Sequence, residues 1–483
     1  MYRKLLFDLS KEGRQGHQLP ECDVEEAGLD RYFDSQYLRK RDAKLPQVAE
    51  NEVVRHYTAL STMNHHVDKA LYPLGSCTMK YNPKINEKLA AIAHFANLHP
   101  DQPIKQVQGA LRLMYELQEY LKEITGMSAV SLQPAAGSHG ELVGLLLMQQ
   151  YHKMKGQNRK TILIPDSAHG TNPASAVIAG YMIETIESNE LGVIDIEHLK
   201  KKVSSDVAGL MLTNPNTLGI FEHQVKEIKA ILESVDALFY MDGANMNALF
   251  GIVRPGDMGV DVMHLNLHKS FSTPHGGGGP GTGPVAVNEK LINYLPRPIV
   301  DFDGKQYFFD HDNKQSIGSV HSFYGNFGLL LRAYVYIRMV GARGFRKIAE
   351  HAIINANYLY TRLKGHYDIG FQSPLMHEFV LSAEKQKQRG AKALDIAKRL
   401  LDFGVHPPTV YFPLIVKEAM MVEPTETESK EMLDYFADVM IKIDNEIQEN
   451  PEILRSAPYS TPVKRLDEVA AARNLDVNYF RRI

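Results

Sequence analysis

The sequence predicts an α/β protein built on a mainly parallel sheet, and three observations carry that prediction. Short apolar runs of strand length recur from residue 161 onward. Stretches with helical spacing separate them. A lysine and an aspartate stand at the ends of two of these runs, where open α/β sheets bind ligands. Buried strands separated by helices imply β-α-β units and a sheet covered on both faces.

The elements follow in chain order. Residues 1 to about 95 are irregular and hold turn formers such as Pro20, Pro73, Gly75 and Pro83. They are expected to form an arm wrapping the active site rather than a core of their own. Lys105–Ile124 places Val107, Leu111, Met114, Leu117 and Leu121 at helical spacing, and Glu141–Met154 is a second, more apolar helix. Strands are expected at Thr161–Ile164, Met182–Ile186, Gly209–Thr213, Ala237–Met241, Val262–Leu267 and Val285–Val287, with a helix at Gln224–Ser234. A Gly- and Ser-containing crossing, Ile317–Gly328, leads to long helices at Gly328–Met339 and Phe345–Leu363. A smaller α+β unit follows, with a strand at His377–Ser382 and helices at Ala391–Leu401 and Glu428–Gln448. The domain plan is therefore an arm at 1–95, a large domain at 96–330, a small domain at 331–450 and a polar tail at 451–483.

Composition narrows the function classes. With 483 residues, 44 % hydrophobic and 23 % charged, the chain is globular and can bury several cores. A formal net charge of −3 gives no overall basic excess for nucleic acid. Two distant cysteines, Cys22 and Cys77, make no disulfide framework and fit a reducing compartment. Asp8 interrupts the first apolar run too early for a signal-peptide core, and no stretch is long enough to span a membrane. A soluble cytoplasmic protein is expected.

Five segments carry chemistry. In Val262–Gly283, Lys269 follows an apolar strand and precedes a glycine-rich loop. A partly desolvated lysine there can form an imine with a carbonyl compound; the ordinary reading is a solvated surface lysine before a flexible hairpin. The loop lacks the order of a phosphate-binding P-loop, and a metal reading through His264, His268 and His275 lacks the carboxylate of H-E-x-x-H, so no metal is expected. In Ala237–Asn245, Asp242 ends another strand. Its ordinary reading is a turn cap; its functional reading is an acid that keeps a pyridine nitrogen protonated. Gly137-Ser138 before the helix could present N–H groups to a phosphate, or Ser138 could be a plain N-cap. His169 in Pro165–Ser175 could stack on a ring and exchange protons, or be a structural loop histidine. The Thr213–Gly219 loop, with Thr217, could place a hydroxyl or amide near a ring oxygen, or be an Asn-Pro turn.

Seven stretches occur in one order: Tyr72–Pro83, Gln133–Gly137, Ser167–Ser175, Asp242-Gly-Ala244, Leu265–Gly283, Phe323–Phe327 and Met376–Phe379. On these the chain resembles the pyridoxal-phosphate-dependent glycine dehydrogenases (decarboxylating), the P-proteins of the glycine cleavage system. In particular it is similar to the second subunit of their split bacterial form. The resemblance implies an aspartate-aminotransferase-like fold (fold type I) with a mainly parallel seven-stranded sheet and a small α+β C-terminal domain. It implies pyridoxal 5'-phosphate bound as an imine to Lys269, with Asp242 on the pyridine nitrogen and His169 over the ring. Gly137 and Ser138 would receive the phosphate, and Ala244, Thr217 and His268 would complete the cofactor shell. Lys269 and His169 would be the catalytic pair. The implied reaction is decarboxylation of glycine with transfer of the aminomethyl group to the lipoyl arm of the H-protein. A homologous first subunit would complete an α2β2 assembly.

Two other classes compete. An aminotransferase or aldolase of the same fold would usually carry an arginine for the substrate carboxylate, and none stands out here. A partner subunit without cofactor would not need both Lys269 and Asp242.

Overall fold

The computed structural model describes residues 4–25, 27–276 and 281–481. The chain divides into two compact units, Met1–His66 with Pro462–Ile483, and Val67–Thr461. In the smaller unit a 14-residue helix, Glu50–Met63, stands where irregular chain is expected. The segment holds no Gly or Pro, and Glu50 and Glu52 in its first turn favour the positive helix end. Phe7 stacks on Tyr479 at 4.6 Å between ring centroids, which ties the two ends of this unit together.

The larger unit holds a seven-stranded sheet. Its strands are β1 (Ala129–Ser131), β2 (Thr161–Pro165), β3 (Met182–Ile186), β4 (Val207–Thr213), β5 (Leu238–Gly243), β6 (Val262–Leu265) and β7 (Val285–Val287). The spatial order is β1-β7-β6-β5-β4-β2-β3. All pairs are parallel except those of β7 with β1 and β6. The sheet is therefore mainly parallel and seven-stranded, as expected, although β1, which ends in Ser131, is not among the strands expected from the sequence. Successive strand residues face opposite ways. Phe239, Met241 and Met263 join one core, while Leu238, Tyr240 and Val262 join another. Both faces are covered.

Helix bounds shift modestly from the expected ones. The helix Gln108–Thr125 ends on left-handed Gly126, and Gly137–Met154 begins four residues before Glu141. A hairpin, β8 (Ile299–Phe302) with β9 (Tyr307–Asp310), occupies a stretch with no expected strand. The two expected long helices form one run, Phe327–Leu363, broken only at Gly341 (φ 65°, ψ 167°). Its first half packs on the sheet core through Leu330, Ala333 and Tyr336, and its last half on a second core through Ala356, Leu359 and Leu363. That second core also holds a four-stranded antiparallel sheet in the order β10 (Asp368–Ile369), β11 (Phe379–Ser382), β13 (Ala419–Val422), β12 (Thr409–Val410). The helices Ala393–Asp402 and Lys430–Glu449 cover it. Among the described residues, no helix is long and apolar enough to cross a membrane.

Candidate active site

The parallel register places Thr213, Asp242 and His264 side by side at the carboxyl ends of β4, β5 and β6. One residue past β6 the chain makes a single helical turn, Leu267–Ser270, which carries Lys269. A cavity of about 470 Å³ opens above these ends. Lys269, Asp242, His169, Gly137, Ser138, Ala244, Thr217 and His268 all line it. Eight residues chosen from five separate segments thus meet in one place. Residues 277–280 of the glycine run lie outside the described residues.

Asp242 is 2 % exposed. Its Oδ2 accepts from Asn172 Nδ2 at 2.9 Å and its Oδ1 from the Ala244 backbone N–H at 2.8 Å. His264 Nε2 stands 3.2 Å from Oδ1. Burial alone would raise its pKa, but His264, Lys269 and the two N–H donors outweigh it, so Asp242 lies below its usual range. The acid is ionised at neutral pH. Asn172 also accepts from Thr213 Oγ1 at 3.3 Å, so the ends of β4 and β5 are cross-linked through one amide. Tyr240 Oη meets His264 Nδ1 at 2.7 Å. His264, considered in the sequence as a metal ligand, stands beside the aspartate.

Lys269 is nearly buried, and its Nζ donates to the Ser76 carbonyl at 2.8 Å. His169 Nδ1 lies 3.2 Å from the Thr171 backbone N and 2.9 Å from Thr171 Oγ1, which together fix the ring's orientation. Burial, then the charge of Lys269, lowers its pKa, so the neutral form prevails. Thr171 Oγ1 and Ser175 Oγ donate to the buried Glu141, whose pKa burial raises. Burial, then Lys269 and His275, pushes His268 down to about 3.

The helix Gly137–Met154 aims its N-terminus at the cavity, with Ala136 at the N-cap and no capping side chain. Ser138 therefore stands inside the first turn rather than at the cap. The first-turn N–H groups have no intrahelical acceptor and suit an anion. Gly137 is required here, because a Cβ would stand 1.9 Å from Asn266 Nδ2. Thr217 lines the cavity, but its hydroxyl donates to the Ser167 carbonyl at 2.5 Å. Cys77 also lines the cavity; burial raises its thiol pKa, so it is a poor nucleophile at neutral pH.

These residues fit pyridoxal phosphate on their own chemistry. The cavity has the volume of a cofactor site. An amine, an ionised acid on the neighbouring strand, a neutral imidazole and an open helix N-terminus border it. Asn266 adds a buried Oδ1 without a hydrogen-bond partner among the described residues. Sequence reasoning missed Asn172, Glu141 and His264 as members of the site. Asn172 and Glu141 lie beside chosen residues, but only the fold shows that their side chains turn inward.

Comparison with known proteins gives a consistent result. The family described as "Glycine cleavage system P-protein" matches residues 32–307, and "Glycine dehydrogenase, C-terminal domain" matches 348–458. The chain is 59 % identical to the probable glycine dehydrogenase (decarboxylating) subunit 2 of Chloroherpeton thalassium, over 99 % of this chain and 98 % of that one. It is 57 % identical to the Bacillus cereus protein of the same name, over 99 % and 97 %. Among solved structures it is similar to an inhibitor-bound glycine decarboxylase (P-protein), with TM-score 0.73, 20 % identity and coverage of 86 % and 94 %. It is also similar to a Lactobacillus brevis glutamate decarboxylase, with TM-score 0.65, 14 % identity and coverage of 92 % and 98 %. The structural likenesses establish the fold alone, and it is the aspartate-aminotransferase-like fold type I.

Proposed function

Because the chain belongs to the glycine cleavage system P-protein family, we propose that it is the cofactor-bearing subunit of a two-chain glycine decarboxylase. It removes CO2 from glycine and passes the aminomethyl group to the lipoyl arm of an H-protein. In that transfer one C–S bond forms as the lipoyl S–S bond breaks, and the second sulfur leaves as a thiol. The cofactor is pyridoxal phosphate, joined to Lys269 as an imine. When bound, it supplies an electron sink for the pair left on carbon by loss of CO2.

The protein's own residues supply the rest. Asp242, ionised despite burial, holds a proton at the ring nitrogen, and Asn172 and the Ala244 N–H hold Asp242. The N–H groups of Gly137 and Ser138 take the phosphate. Neutral His169 would face the ring and could move a proton through its imidazole. Lys269 would hold the cofactor and, with its amine free, could serve as a second base. Ala244, Thr217 and His268 shape the remaining wall. A homologous first subunit completes the enzyme as an α2β2 assembly in the cytoplasm.

The observation that carries this reading is the pairing of a nearly buried lysine after β6 with an ionised, buried aspartate at the end of β5. Lys269→Ala tests it. The variant should lose both the visible absorption of the cofactor-loaded protein and glycine-dependent exchange of labelled bicarbonate. Exchange at the wild-type rate would end the assignment.

A further inference from the structure

Next to the cavity lies a second group of ionisable side chains that the reaction above leaves unused. His377, Glu378 and Glu423 are fully buried. Glu378 comes from the run into β11, and Glu423 follows β13. Both reach back to the turn 75–78. Glu378 Oε2 accepts the backbone N–H of Ser76 at 2.7 Å, and its Oε1 accepts Asn245 Nδ2 at 3.3 Å. Glu423 Oε1 accepts from Thr78 Oγ1 at 2.5 Å. The carbonyl of the same Ser76 accepts Lys269 Nζ. Glu378 and Lys269 therefore hold the two backbone polar groups of one residue.

That residue needs holding. Ser76 has φ 61°, a conformation that non-glycine residues keep only where their surroundings enforce it. Glu378 is itself fixed, because the Met376 N–H donates to the Gly219 carbonyl at 2.7 Å and Ile220 bridges Leu375. A chain of contacts runs from the loop after β4, through Glu378 and Ser76, to the lysine.

We propose that Glu378 is a positioning residue for Lys269, setting through the Ser76 peptide where the lysine amine stands in the cavity. The role of Lys269 itself rests on the function proposed above. The charged groups facing Glu378 are Glu423 and Lys269, and His377 Nε2 lies 3.8 Å from its Oε1. Burial and then Glu423 push the Glu378 carboxyl well above its usual range, so it is protonated near neutral pH. Its Oε2 then holds the Ser76 N–H as a neutral group, which an amide can imitate.

The test uses the full chain with three substitutions. Glu378→Leu keeps the bulk and removes the acceptor, Glu378→Gln keeps a neutral acceptor, and Glu378→Asp keeps the acid but shortens its reach. Acetylation of Lys269 in the cofactor-free protein is followed by mass spectrometry, and pyridoxal phosphate affinity by the visible band. Losing one buried hydrogen bond is expected to change Lys269 reactivity and cofactor affinity about tenfold in the Leu variant. The Gln variant should stay within about twofold of wild type, since its bond is retained. Wild-type values in the Leu variant, or a Gln variant as impaired as Leu, would overturn the proposal. If circular dichroism shows the Leu variant unfolded, the Asp variant replaces it with the same expected changes, and wild-type values there overturn the proposal. A wild-type chain that never binds pyridoxal phosphate would instead refute the proposed function, and Lys269 acetylation would then judge Glu378 alone.

Discussion

Asp242 is ionised in a place that should neutralise it, and Glu423 shows the opposite outcome nearby. Both are buried. Asp242 has an amide donor, a backbone N–H and an imidazole within 3.2 Å. Glu423 has the Thr78 hydroxyl, and its Oε2 has no hydrogen-bond partner among the described residues. Burial therefore dominates and raises Glu423 to about 7. A carboxyl whose folded pKa exceeds its unfolded value of 4.5 binds more protons in the native state. Its stabilising effect is complete below pH 4.5 and is lost as pH rises through about 7. Glu423→Gln removes that titration. Its stability relative to wild type should rise between pH 5 and pH 8, by on the order of 3 kcal/mol or less. Denaturant melts at the two pH values check this, and a pH-independent difference would refute it. Lys269 and Asp242 were legible in the sequence because each follows an apolar run and precedes glycine in the chain. Glu378, Glu423 and His264 were not, because their partners lie far off in the chain and nothing local marks a buried carboxyl.

At the scale of elements, apolar periodicity located the long helices and the buried strands but not their ends. The helix after β1 begins at Gly137, although its apolar stripe starts only after Glu141. Those four residues are polar or small because their backbone faces the cavity, so periodicity fades where function begins. The strand β1 and the hairpin β8–β9 escaped notice because they are not purely apolar runs: β1 ends in Ser131, and the hairpin carries Asp301 and Asp310. Gly341 was the reverse case, since the gap between two helical patterns fell around the only non-helical residue of the run. Its φ of 65° with ψ of 167° is a region that belongs almost wholly to glycine. A Cβ there meets nothing within 4 Å, so Gly341→Ala carries a backbone penalty alone. The expected loss is about 1–3 kcal/mol in chemical denaturation. An unchanged midpoint would show that the two halves can straighten into one helix at no cost.

At the scale of the whole molecule, the chain spans nearly the full length of relatives that are themselves called subunit 2. The proposed assembly predicts that purified chain alone shows little bicarbonate exchange, and that adding a homologous first subunit restores it and yields a 2:2 species in sedimentation. A fully active homodimer would contradict that. The sequence by itself determined the fold class, the order of the buried strands along the chain and the pairing of Lys269 with Asp242. These depend on local apolarity and on the rule that parallel strands present their carboxyl ends together. Only the tertiary structure decided which groups keep Asp242 charged and what holds Lys269. Those properties are set by side chains up to about 300 positions apart, as Ser76 and Glu378 are, brought within hydrogen-bond reach in a dry interior where each contact shifts a proton equilibrium.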